Sequence, residues 1–285
     1  MAVGLAERLI RAPHHGHDMQ MAVMFPATGG EAAVFAENAV FYGTPIQRDA
    51  DISPGRHPVI LLSHGWGGNY GRMAWLSAGL ASEGAIVVAV NHPNSTTFDL
   101  NFESALHHWT RPQDLSAALD HVLEDDAFAP FIDDTRIYAA GFSYGGWTAL
   151  SLAGMEARRE GVVEYCAAAG AQSQFCAELA REGLDISALD QGLHDASYKD
   201  ARVRAVAAID PGLTWGLQED DVANVVDQVL LLGLGDGADR LHATDTSPSG
   251  SNLEALLPES AVEIIAPATH FSALGLCKPA GEIIL

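Results

Sequence analysis

Cations are scarce in this chain. Its 285 residues carry 15 Lys+Arg against 37 Asp+Glu, a formal net charge of −22 with the histidines neutral. Such a surface repels phosphate, which excludes passive nucleic-acid binding and docking on anionic lipid. A strongly anionic substrate would need a local Arg/Lys pocket. Long apolar runs are missing as well. The longest, residues 85–90, is strand length, far below the roughly 20 residues that cross a bilayer, so no membrane span is expected. There are three cysteines. Cys277 stands alone, and Cys166 and Cys176 lie in a segment that reads as helical. So few cysteines point to free thiols, whereas a Cys166–Cys176 bridge would argue for export. The first residues lack the apolar stretch and small-residue cleavage site of a signal peptide. The compartment is therefore left undetermined: cytoplasmic by default, periplasmic or secreted if a leader was removed or the bridge forms. Internal repeats and low-complexity tracts are absent too.

What is present is globular: 48% hydrophobic and 18% charged residues, enough apolar content for a packed core. The length suits one large domain. Apolar runs at 59–62, 85–90, 136–140, 203–209, 228–232 and 261–265 alternate with helical stretches at about 70–82, 111–124 and 144–159. Strands apolar on both faces, separated by helices, predict a mostly parallel, doubly wound α/β sheet covered on both sides. Residues 23–26 and 37–42 are expected as antiparallel strands at one edge. Residues 160–201 are Ala/Gln/Asp-rich and helical in pattern. They read either as an insertion over the C-terminal edge of the sheet, hence a lid candidate, or as an extension of the helical layer.

Polar and glycine-rich residues collect after each strand, where such sheets place their sites. Gly141-Phe142-Ser143-Tyr144-Gly145 is G-x-S-x-G with a strand before it and a helix after it, the context that gives the motif meaning. Small neighbours at 141 and 145 allow the sharp turn that bares a serine hydroxyl, and the helix N-terminus favours a developing oxyanion. Ser63-His64-Gly65-Trp66-Gly67-Gly68 follows the first parallel strand. With Ser143 on a neighbouring strand, the expected oxyanion donors are the N–H groups of Trp66 and Tyr144. Serine needs a base, and of twelve histidines His270, after the last strand, is best placed. Asp210 and Asp236 both follow strands, and either carboxylate could orient His270. Trp66, His92, Phe142, Trp147, Trp215 and Phe271 are expected to line a mainly apolar substrate cleft. Arg111 and Asp114 read as helix-start structure. His64 reads as structural, and His107 and His108 as loop residues that could line a pocket. His14, His15 and His17 resemble a metal cluster but have no acidic or cysteine partner at ligand spacing, so no metal and no cofactor are expected.

These motifs resemble the α/β-hydrolase superfamily, and more narrowly the dienelactone-hydrolase-like and platelet-activating factor acetylhydrolase-like esterases. The resemblance runs from about Asp18 to His270. It rests on residues 63–68, Arg111-Pro112-Gln113-Asp114, residues 141–146, Ile209-Asp210-Pro211 and His270-Phe271. In the acetylhydrolase branch the acid follows the strand after the nucleophile helix, a position that corresponds to Asp210. The resemblance implies a serine esterase acting on neutral esters through an acyl-enzyme. Dienelactone hydrolases carry a cysteine where Ser143 stands, so their specific activity is not implied. The competing readings are a polyester or lipid ester hydrolase, a peptidase, and a non-catalytic binding protein on a hydrolase scaffold. The oligomeric state is left undetermined.

Overall fold

In the computed structural model, which describes residues 1–279 and Gly281, the apolar runs become the middle of a single large sheet. Its strands are β1 (Ala2–Ala12), β2 (His17–Thr28), β3 (Glu31–Phe35), β4 (Thr44–Arg48), β5 (Asp51–Ile52), β6 (His57–Ser63), β7 (Ile86–Val90), β8 (Ile132–Phe142), β9 (Val203–Ile209), β10 (Gln228–Leu234) and β11 (Ala261–Ile265). The order is β11-β10-β9-β8-β6-β7-β2-β1-β4-β3, with β5 against β2. Strands β6 to β11 are parallel to their neighbours among themselves. The long β1–β2 hairpin joins β7 through antiparallel pairing of β2.

Strand periodicity divides the core in two. Val59, Leu61, Ile86, Val88 and Val90 face α3 (Thr110–Glu124), which contributes Leu115, Leu119 and Val122 to the same cluster. Leu62, Val87 and Ala89 point the other way, toward α1 (Ala74–Ser82) and its Ala74 and Ala81. Each such aliphatic side chain, fully buried, contributes about 1.5–3 kcal/mol. Helix α3 carries Pro112 in its first turn, where a missing N–H costs nothing.

Several expectations are corrected. Residues 23–26 belong to β2, which is flanked on both sides rather than at an edge. Residues 37–42 form no strand. Asn38 Oδ1 accepts the N–H groups of Val40 and Phe41, at 2.8 Å each, and this side-chain-closed turn links β3 to β4. The helix after Ser143, α4 (Tyr144–Leu152), stops early. Gly154 (φ +114°) turns the chain there, packed where a Cβ would meet Asn224 O at 2.3 Å.

The helical segment expected at 160–201 contains α5 (Arg159–Ala169), α6 (Gln174–Glu182) and α7 (Gln191–His194), after the short α2 (Phe102–Ala105) earlier in the chain. It leaves the sheet after α4 and returns at β9, and the Asp200 N–H donates to Leu152 O at 2.9 Å. The expectation of free thiols at 166 and 176 is overturned, because Cys166 and Cys176 form a disulfide. The chain reverses between α5 and α6 at Gly170 (φ +50°), which brings the last turn of one helix to the first turn of the next.

Candidate active site

At the end of β8 the chain turns directly into α4 with Ser143 at φ +57°, ψ −120°. A left-handed serine is strained, and its surroundings hold it there. A Cβ at Gly141 would lie 2.0 Å from Gly145 O, and one at Gly145 would lie 2.1 Å from Ser63 O. The Ser143 N–H donates to Ile209 O at 2.9 Å, and Ser143 O accepts from the Gly212 N–H at 3.1 Å. The hydroxyl that this turn presents donates to His270 Nε2 at 3.0 Å. His270 Nδ1–H donates to Asp210 Oδ2 at 2.6 Å.

Asp210 is fully buried at the end of β9 and itself adopts φ +45°. The Thr244 hydroxyl donates to the same Oδ2 at 2.7 Å, and the Leu234 N–H donates to Oδ1 at 2.9 Å. Asp236 is exposed and makes no side-chain hydrogen bond among the described residues. Thr244 had no signal in the sequence. It lies in a polar loop that only the fold brings beside Asp210.

The loop 63–68 packs against the turn, and a Cβ on Gly65 would lie 3.2 Å from Ser143 Cβ. The Tyr144 N–H heads α4, where a helix offers no internal acceptor. The Trp66 N–H donates to no other group among the described residues. Tyr144 is clamped by its hydroxyl, which donates to Ala105 O at 2.7 Å, and by the Arg111 guanidinium 4.4 Å from its ring centre.

A cavity of about 290 Å³ opens over Ser143 and His270. Trp66, Trp147, Trp215 and Phe271 line it, and so does His108. The insertion forms much of the wall through Val162, Tyr165, Phe175 and Leu179. Tyr165 stacks on Trp215 with ring centres 4.5 Å apart, and its buried hydroxyl has no partner among the described residues. His108 Nδ1 accepts from the Trp147 indole N–H and its Nε2–H donates to His194 O. Burial, with His194 alongside, pulls its pKa down to about 3.

Two cleft expectations are corrected. Phe142 lies beneath the site with its ring 4.6 Å from that of His270, and does not line the cavity. His92 is fully buried and turned away from the cavity. Its Nδ1–H donates to Asp114 Oδ2 at 2.8 Å, and the Ser63 hydroxyl donates to its Nε2 at 2.9 Å. The molecule therefore holds a second Ser–His–Asp arrangement with nearly the same distances. Ser63, His92 and Asp114 are each solvent-inaccessible, and Ser63 Oγ also accepts from Arg111 at 3.2 Å.

Arg111 and Asp114 thus do more than start a helix. Arg111 donates to Thr148, Ser95, Ser63 and the His64 carbonyl, and so fixes the back of the loop 63–68. Burial draws its pKa down to about 10, leaving it a cation near neutral pH. His64 Nε2 accepts the His92 N–H, so its proton sits on Nδ1 and is donated to Gly65 O. Burial and the nearby Arg111 keep His64 neutral. Burial favours the neutral Asp114 acid, but hydrogen bonds from His14, His15 and His92 outweigh it and hold the carboxyl well below its usual range. The acidic partner that His14 and His15 lacked in sequence is Asp114, about a hundred residues further on.

The solved structure of a ferulic acid esterase from Streptomyces cinnamoneus superposes with a TM-score of 0.62, covering 96% of this chain and 76% of that one at 19% identity. The chain has the α/β-hydrolase fold. Residues 72–163 match the prolyl oligopeptidase family and residues 32–110 match platelet-activating factor acetylhydrolase, isoform II. Cutinase est2 of Thermobifida alba is 35% identical over 97 residues, which are 33% of this chain and 29% of the cutinase. Esterase FrsA of Citrobacter koseri is 33% identical over 111 residues, 38% of this chain and 27% of the esterase. The alignment thus spans under a third of the length of either curated relative.

Proposed function

We propose that the chain is a serine hydrolase of neutral carboxylic esters. The observation that carries this reading is the hydroxyl of Ser143, set on a strained turn 3.0 Å from His270 Nε2 and facing an apolar cavity. In the proposed reaction His270 Nε2 takes the hydroxyl proton as Oγ attacks the ester carbonyl. The carbonyl oxygen becomes anionic and is held by the N–H groups of Trp66 and Tyr144, each such donor being worth about 3–4 kcal/mol of barrier. The imidazolium returns the proton to the alkoxide leaving group, giving an alcohol and an acyl-Ser143. Water then attacks this ester, giving its proton to His270, and the imidazolium returns a proton to Ser143 Oγ as the acyl–oxygen bond breaks and the acid departs. Asp210 keeps the Nδ1 proton in place and stabilises the imidazolium, with Thr244 and Leu234 holding the carboxylate.

Aromatic and aliphatic walls favour an uncharged acyl group. The relatives are named as cutinases, an esterase and a ferulic acid esterase, and a cavity of about 290 Å³ suits a medium aliphatic or an arylpropenoyl acyl chain. The match to the prolyl oligopeptidase family makes an amide the competing substrate class. The test is turnover of p-nitrophenyl acetate, butyrate and octanoate, methyl ferulate and a prolyl p-nitroanilide by wild type and Ser143→Ala. Ester turnover that vanishes in the variant, with fluorophosphonate labelling only of wild type, is the expected result. Equal turnover by both proteins removes Ser143 from the reaction, and cleavage of the anilide alone replaces the esterase reading with a peptidase.

A further inference from the structure

The tip of the β1–β2 hairpin is a tight turn, with the Gly16 N–H donating to Pro13 O at 3.1 Å and Gly16 at φ +74°. An exposed tip ordinarily leaves polar side chains in water. Here two consecutive histidines turn inward and meet one buried atom. Asp114 Oδ1 lies 2.7 Å from His14 Nε2 and 2.9 Å from His15 Nε2, and one donor atom from each of the three residues lies within 4.8 Å of the others. The side chain of Asp114 is inaccessible, those of His14 and His15 retain 16% and 8% exposure, and none of the three lines the cavity over Ser143.

We propose that His14 Nε2, His15 Nε2 and Asp114 Oδ1 form a binding site for a zinc ion, separate from the Ser143 site, that clamps the hairpin tip to α3. Two imidazole nitrogens and one carboxylate oxygen are a donor set for a borderline cation such as Zn²⁺, whereas Ca²⁺ and Mg²⁺ require mostly oxygen. Tetrahedral zinc with ligand bonds near 2.0–2.1 Å holds its donors about 3.3 Å apart. The two spacings from Asp114 Oδ1 therefore need to open by only about half an ångström, well within the reach of two side chains on a surface turn. The partial exposure of His14 leaves a fourth position for water. The outer partner is already in place, because Asp114 Oδ2 accepts from His92 Nδ1–H at 2.8 Å, which orients the carboxylate so that Oδ1 faces the imidazoles. A surface of net charge −22 draws cations toward any such site.

The ion's role would be positional. Asp114 is the root of the chain of bonds through His92 and Ser63 to Arg111 and the His64 carbonyl, so a clamp at Asp114 steadies the scaffold behind the oxyanion loop.

The experiment measures bound metal and thermal unfolding, neither of which depends on the ester chemistry. Purified protein is stripped with a chelator, dialysed against low-micromolar free Zn²⁺ and assayed by elemental analysis. Its melting is then compared with and without zinc. Wild type is expected to hold one zinc per chain and to melt several degrees higher with it. His14→Ala and His15→Ala are expected to lose both effects, while His17→Ala and His121→Ala keep them. Co²⁺ in place of zinc should give the visible bands of a tetrahedral complex. Because Asp114 is buried, Asp114→Asn is checked for folding by circular dichroism, and the two histidine variants carry the test if it does not fold. A wild type that takes up no zinc overturns the proposal. So does retention by both His14→Ala and His15→Ala, or equal loss in His17→Ala, which would indicate a loose histidine-rich tip and not a site built on Asp114.

Discussion

Replacing Asp210 by asparagine exchanges one carboxylate oxygen for an NH₂ group and changes little in the outline of the side chain. The carboxylate is surrounded by three donors: Leu234 N–H on Oδ1, and Thr244 Oγ–H and His270 Nδ1–H on Oδ2. An amide accepts at only one of its two ends. If its oxygen stays on the Leu234 N–H, its NH₂ faces His270 and Thr244. The threonine hydroxyl can rotate to accept, but His270 Nδ1 must then also accept, which moves the ring proton to Nε2. That tautomer cannot take the proton of Ser143. If the amide flips, its NH₂ confronts the buried Leu234 N–H, and an unpaired buried donor costs about 1–3 kcal/mol. The first arrangement is therefore the stable one, and it disables the base. A wrong tautomer together with a lost counter-charge costs about ten-thousandfold in kcat, or roughly 5 kcal/mol of barrier, with unfolding almost unchanged. Steady-state turnover of p-nitrophenyl butyrate by wild type, Asp210→Asn and Asp236→Asn checks this. Activity of Asp210→Asn within tenfold of wild type, or its loss only in Asp236→Asn, refutes the reasoning.

Arg111→Leu is expected to lower unfolding stability by about 3–5 kcal/mol in urea titration, because it leaves four buried acceptors without their donor; a loss under 1 kcal/mol would contradict the network. Tyr165→Phe removes a buried hydroxyl that has no partner among the described residues and is expected to raise stability by about 1 kcal/mol in thermal melts. A fall of that size would show that the hydroxyl is satisfied after all. His108 binds its proton near pH 3 when folded and near 6.5 when unfolded, so between those values the unfolded chain holds more protons. Its contribution is complete above about pH 6.5 and drains away as pH falls toward 3. The urea midpoint should drop across that window, and His108→Gln should flatten the slope; an unchanged slope would assign the acid sensitivity elsewhere.

The parallel strands were legible because a sheet covered on both faces needs uninterrupted apolar runs, and residues 59–62 and 85–90 supply them. Ser143 was legible because its backbone strain requires a recognisable glycine frame. Other features depend on register and distance, which composition does not carry. Asp210 and Asp236 are alike as strand-end acids, and what separates them is the positive φ at 210 and the donors of β10 and its following loop. His92 also follows a strand, but its ring turns toward α3, where Asp114 waits. Cys166 and Cys176 read as free because the reversal at Gly170 leaves no strong mark in an alanine-rich segment. The β1–β2 hairpin escaped notice since its first strand mixes Glu7, Arg8 and Arg11 with apolar residues. That His14 and His15 meet an acid is not visible in the sequence, because Asp114 sits on another element about a hundred residues away.

The bond between the Asp200 N–H and Leu152 O has an evolutionary corollary. The stretch that roofs the cavity departs and re-enters at one spot, with both feet beside the nucleophile helix. Such a stretch is a cassette. It can be trimmed, lengthened or transplanted without altering the pairing of β8 with β9, so the wall of the cavity can vary while the strands beneath it stay fixed.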